Sequence, residues 1–180
     1  MDAVYQPTEW FNLYIMLGTA ASALVGLLFI VMVLHLGDPR ENRGETMRAT
    51  IHGARNNTYH LLTLMIMSAL VLMPQPAVWL GGEIVVMCLF GLRLPVGFTR
   101  TWLGRDMHIE ARSGFPYDVI VTVAVGYLLG VGGGIGLMMD RNWGMYAVSA
   151  GALVILVRTV LTARELLFGR VRAPDPGAGE

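Results

Sequence analysis

The 180-residue chain has no lysine, a single cysteine and few charges of either sign. Charged residues make up 14%, about half the share of a soluble domain. With that little charge, one small core cannot hide the apolar remainder, and a membrane-embedded chain is expected. The lone Cys88 permits neither a disulfide framework nor a cysteine metal site. It lies in an apolar run and reads as a small hydrophobe. Net charge is zero, which argues against a nucleic-acid partner. All 13 basic residues are arginine, a bias that points to no particular chemistry. The opening MDAVYQPTEW lacks a basic n-region and the apolar run after it is too long for an h-region, so no signal peptide is expected. No HExxH, CxxCH, paired carboxylates or nucleophile–base arrangement is visible, which makes an enzyme the poorest reading and assigns no catalytic residue.

What the chain has is apolar length. Hydrophobic residues are 54% and the mean hydropathy is +0.56. Five runs can each cross about 30 Å of hydrocarbon as a helix, at about 10–36, 58–73, 78–98, 119–139 and 145–168. Regular helices are required, because lipid satisfies no stray backbone group. The expected fold is an all-α polytopic membrane bundle of five transmembrane helices. It occupies residues 1–172 as one domain, and APDPGAGE at the end reads as a disordered tail over 173–180. Pro74-Gln75-Pro76 and the segment 140–144 are tight turns between spans. Span two is preceded by a proline-free stretch from Glu45 to Thr58, so one long helix projecting into the cytoplasm is expected there. The Arg100–Ser113 connection could form an interfacial amphipathic helix through Trp102, Leu103 and Ile109.

Charge orients these spans. Arg40, Arg43, Arg48 and Arg55 follow span one; Arg100, Arg105 and Arg112 follow span three; Arg164, Arg170 and Arg172 close span five. The other side has only Arg141, beside Asp140. The positive-inside rule then places the N-terminus outside and the C-terminus in the cytoplasm. Trp10, Trp79 and Trp143 form an outer aromatic belt, with Trp102, Phe115 and Tyr117 inside.

Two spans carry small-residue stripes that let helices approach closely. In span one these are Gly18, Ser22 and Gly26; in span four Gly126, Gly130 and Gly134, with Gly151 in span five. Any one stripe is accounted for by packing inside the bundle. Two strong stripes among five helices point to one of them at a homo-oligomer interface. A break in span four at Gly132-Gly133-Gly134 is less well supported, since no polar side chain accompanies it. The string from Thr122 to Tyr127 superficially resembles a potassium filter but sits inside an uncharged apolar run and reads as helix.

Ionisable groups inside spans cost a few kcal/mol each and raise a functional hypothesis by default. At about 1.5 Å per residue, His60, Arg93 and Arg158 share one level roughly 20 Å from the outer surface. Asn56 and Asn57 lie just below. The layer could line a polar cavity open to the cytoplasm, or each arginine could snorkel to lipid phosphate. Glu83 sits near the outer end of span three, roughly 12 Å from the level of Arg158, as a cation site or a hydrogen-bonded structural acid. His35 and His60 could hold a haem between them, although interfacial or solvated histidine is the simpler account. No other cofactor is expected.

Residues Ala20 to Phe29 match the pattern A-A-x-A-L-x-G-L-L-F, with Ser22 at the first variable position. In this the first helix resembles that of small bacterial multi-pass membrane proteins. The resemblance implies a bacterial inner-membrane location and carries over no functional residue. The leading functional expectation is a homo-oligomeric ion channel or small-solute transporter, with Glu83, Arg93 and Arg158 lining or gating a polar path. The second is a non-catalytic accessory subunit contacting lipid or a protein partner through its arginine-rich cytoplasmic loops. The third is a haem- or quinone-linked redox subunit.

Overall fold

The computed structural model describes residues 7–36, 44–103 and 117–168, and these form five α-helices. They are α1 (Pro7–Leu36), α2 (Gly44–Leu72), α3 (Ala77–Leu103), α4 (Tyr117–Met138) and α5 (Trp143–Phe168). Each expected span falls on one of them, with Met73 and Met139 just past a helix end. The stretch before span two belongs to α2, one continuous helix of 29 residues. Three helices contain a segment long and apolar enough to cross a membrane: Thr8–Ile30, Val121–Met138 and Trp143–Arg164. Helix α2 opens on a polar stretch, and α3 carries Glu83 and Arg93. Of the Arg100–Ser113 connection, residues 100–103 are the end of α3; the remainder, with His108, Arg105, Arg112 and the 173–180 tail, lies outside the described residues.

Helix ends follow from local chemistry. Pro7 sits at the first helical position of α1, where its missing N–H costs nothing, and Glu9 places an acid in the first turn. Helix α2 stops ahead of Pro74, and α3 restarts with the Trp79 and Leu80 amides donating to the Pro76 carbonyl at 3.0 and 3.1 Å. Helix α4 closes in a Schellman motif: Arg141 N–H donates to Gly136 O (2.9 Å) and Asp140 N–H to Leu137 O (3.0 Å). The motif needs a left-handed residue, and here it is Asp140 at φ 56°, not a glycine. Helix α3 runs on through Pro95, which has no N–H to give the Gly91 carbonyl.

Helices α2, α3, α4 and α5 form a ring in which each packs on the next and α5 packs back on α2. Helix α1 lies outside, in the groove between α2 and α5. Helices α2 and α4 therefore stand at opposite corners. Contacts at Trp10–Tyr146 and Tyr14–Ser149 run α1 and α5 parallel. Contacts at Gly81–Gly134, Cys88–Gly130 and Gly91–Tyr127 run α3 and α4 antiparallel. The core holds Tyr14, Leu17, Leu61, Leu64, Leu80, Ile84, Tyr127, Leu137 and Val148, all almost fully buried.

Glycine makes the ring tight. A Cβ built on Gly133 would lie 2.6 Å from the Gly144 carbonyl oxygen, and one on Gly151 would lie 2.5 Å from that of Gly126. Backbone therefore meets backbone between α4 and α5, as it does between α3 and α4 at Gly81 and Gly134. The span-four stripe residues thus face two neighbours in the same chain: Gly126 meets α5 and Gly130 and Gly134 meet α3. In α1, Gly18 rests against Ser68 of α2, whereas Ser22 and Gly26 are exposed and Gly26 has nothing within 4 Å.

Candidate functional site

The polar side chains buried in the ring lie mainly on α2 and α5: Asn57, His60, Ser68, Ser149, Arg158 and Thr159. On α2, Asn57, His60 and Leu64 follow at helical spacing, so the polar pair continues the core-facing stripe. His60 is 3% exposed and Tyr127 of α4 is fully buried. The His60 Nδ1 and the Tyr127 hydroxyl are 2.8 Å apart, a hydrogen bond across the ring between opposite corners. The two rings lie 5.7 Å apart, tilted by 48°. Gly91 makes this possible. The Tyr127 ring lies where a Cβ on Gly91 would be, so the phenol passes over α3 at a residue without a side chain. One turn earlier on α3, Cys88 fills the space beside Gly130.

Two further bonds set the registers. Asn57 Nδ2 donates to the Thr159 carbonyl of α5 at 3.1 Å, and the Tyr14 hydroxyl pairs with Ser149 Oγ at 3.1 Å. Arg158 is 8% exposed and follows Gly151 and Ile155 by two turns and one, on the side of α5 that meets α4.

The expected residues thus divide. His60, Asn57 and Arg158 are buried in the bundle. Arg93 and Asn56 are exposed. Arg93 shares an outward stripe with Val86, Leu89 and Phe90, the placement expected of a snorkelling arginine. Glu83 accepts a 2.9 Å hydrogen bond from Gln75 Nε2, which also donates to the Leu70 carbonyl at 3.1 Å. Gln75 in this way ties the end of α2 to the first turns of α3, and Glu83 is its anchor. Glu83→Gln should leave stability unchanged, because the new amide oxygen still accepts from Gln75. Gln75→Ala should cost about 1 kcal/mol by chemical or thermal unfolding in detergent.

His60 turns its Nδ1 toward α4. With Gly18 against Ser68, the antiparallel register of α1 and α2 sets His35 about two and a half turns past the level of Gly26, where His60 belongs, no closer than about 13 Å along the axis. That separation does not fit two axial ligands on one iron, and the His35 side chain lies outside the described residues. Among the described residues no group of three or more His, Cys, Asp or Glu is placed to hold a metal ion.

Sequence reasoning missed Tyr127, Gln75, Tyr14 and Ser149. A tyrosine inside an apolar run is itself a signal, since a buried phenol needs a partner for its hydroxyl.

The fold and the buried layer define an all-helical protein with three helices long and apolar enough to cross a membrane. Compared with known proteins, the chain matches no family model, no curated protein and no solved structure.

Proposed function

We propose that all five helices span a bacterial inner membrane, N-terminus outside, and that the protein passes an ion or small solute through a homo-oligomer. The five-span reading is supported by the outward faces of α2 and α3. Tyr59, Leu62 and Ile66 on α2, and Val78, Val86, Leu89 and Phe90 on α3, are exposed apolar side chains like those on α1, α4 and α5. A bundle with such a face all round matches lipid as its surroundings. Trp10 touches Tyr146, and Trp79 and Trp143 are exposed at the same end, as an interfacial belt would be.

The transport reading rests on one observation: the His60–Tyr127 bond lies across the ring, well inside the proposed spans. A polar pair there costs folding energy that an apolar pair would not, which marks it as the candidate gate. Asn57 and Arg158 extend the layer. Glu83 and Arg93 leave the path, the first bound into a turn and the second facing out. The oligomer interface is proposed on α1, where Thr19, Ser22, Ala23 and Gly26 form a small-residue face directed away from the bundle.

The same exposed face on α1 favours a second reading, an accessory subunit that docks a partner's helix. Reconstitution separates the two. In proteoliposomes the protein should dissipate an ion or solute gradient, and His60→Ala or Arg158→Ala should change the rate while Glu83→Gln does not. A protein that is monomeric in nanodiscs and inert under proton, salt and solute gradients is not a channel or transporter. Gly26→Leu should lower the oligomeric state if α1 forms the interface.

A further inference from the structure

Helix α1 contains one asparagine, one serine and two threonines, and all four are exposed. They fall on a single stripe. Thr8, Asn12, Ile15, Thr19, Ser22 and Gly26 follow one another in alternating steps of four and three, every one of them exposed, and the alternation continues to Val33. The buried residues Tyr14, Leu17, Ala21 and Leu28 occupy the opposite face. A side of a helix that meets lipid is normally apolar, as Val86, Leu89 and Phe90 are on α3. On α1 the amide and the hydroxyls instead gather on the outermost line. The position of α1 outside the ring, in the groove between α2 and α5, leaves that line clear of the other helices.

The spacing carries the geometry. Gly18, Ser22 and Gly26 recur every four residues, but Gly18 rests against Ser68 of α2, so that repeat does not describe the outward face. The outward stripe averages 3.5 residues per step, the period that keeps one line in contact along a left-handed helix pair crossing at about 20°. We propose that the stripe seats the α1 of a second copy, running parallel across a two-fold axis along the membrane normal. Every copy inserts with the same topology, so α1 meets α1 in parallel and their heptad phases match along the whole length. The polar groups are self-complementary. The Asn12 amide and the Ser22 hydroxyl each both donate and accept, so each bonds its own counterpart across the axis. An asparagine on such a seam fixes register and the number of strands. Thr19 donates to the Ile15 carbonyl of its own helix and is satisfied within it. At Gly26 nothing lies within 4 Å, which leaves room for close approach. The pairing names the partner and the handedness of the proposed homo-oligomer and rests on that reading; it makes no use of transport.

Disulfide scanning of the full chain in membranes tests it. Cys88→Ala removes the native thiol, and single cysteines replace residues 11–30 in turn. Should that background fail to fold, the native one serves, because Cys88 is buried. A disulfide needs Cα atoms within about 7 Å. After oxidation with copper phenanthroline the dimer band should therefore peak at positions 12, 15, 19, 22 and 26. Met16→Cys and Leu27→Cys, exposed but on the flanks, should give little. Ser22→Leu should lower the dimer fraction counted by single-molecule photobleaching in bilayers at least tenfold, and Met16→Leu should leave it unchanged. Peaks confined to positions 22 and 26 mean a local right-handed crossing and overturn the heptad pairing. Flank cross-links as strong as those on the stripe, or cross-links to a different protein alone, overturn it as well. A dimer that forms without stripe cross-links removes this interface and keeps the homo-oligomer, whereas a monomer removes both. Stripe cross-links without flux would sink only the transport reading.

Discussion

Gly133→Leu should prevent the native bundle from forming, while Ala at the adjacent Gly132 should be tolerated or slightly stabilising. The two glycines share a helix and a depth, so composition and hydropathy treat them alike. Their surroundings differ. A Cβ at 133 would meet the Gly144 carbonyl at 2.6 Å and the Val148 amide nitrogen at 2.7 Å, both backbone atoms that no rotamer change can move. Helices α4 and α5 would have to separate along the seam that holds them. Overpacking of this kind costs about 1–3 kcal/mol for modest insertions, and a leucine against backbone lies at or beyond the top of that range. At Gly132 nothing lies within 4 Å, and alanine favours a helix over glycine by up to about 1 kcal/mol. Thermal unfolding of both variants in the same detergent checks the contrast. Equal behaviour of the two would mean that α4 and α5 do not pack as described.

Tyr127→Phe should destabilise the protein by about 1–2 kcal/mol although it removes one oxygen and leaves the ring in place. Interhelical hydrogen bonds in membranes average well under 1 kcal/mol, because the unfolded helices find other partners. The larger value arises from what is stranded. His60, 3% exposed, would keep a buried ring nitrogen without its hydrogen-bond partner, and orphaning such a polar group costs about 1–3 kcal/mol. Two controls isolate that origin. His60→Leu in the native background should also destabilise, and His60→Leu with Tyr127→Phe should cost less than the sum of the single changes, since both partners are then apolar. A strictly additive cycle by equilibrium unfolding would remove the bond as a source of stability.

Much of this fold is legible from a few residues. Pro74 and Pro76 bracket the first tight turn, and apolar length sets the helices. The second turn is legible only in outline: Asp140 in the left-handed position is a choice among residues that sequence does not announce. Depth arithmetic brought out His60 and Arg158 but grouped Arg93 with them. Depth fixes the level of a residue and not its azimuth, and Arg93 recurs with Val86, Leu89 and Phe90 on the outward stripe. The glycine stripes were visible as stripes; which helix each meets depends on ring order, which pairs Gly130 with Cys88 and Gly91 with Tyr127. Gln75 looked like a turn residue and nothing more, because its partner Glu83 lies eight positions on, inside the next helix.

The polar face of α2 also sets a timetable for biogenesis. Its partners are made late: Tyr127 follows His60 by 67 residues, and Thr159 follows Asn57 by 102. At a synthesis rate of about 5–20 residues per second, α2 waits about 3–13 s for the first and about 5–20 s for the second. Through that interval its histidine and asparagine are without their final hydrogen-bond partners. Helices α3, α4 and α5 have no such delay, since their glycine seams join neighbours in the chain. On the five-span proposal, the second helix is therefore the one that waits for the last to be made.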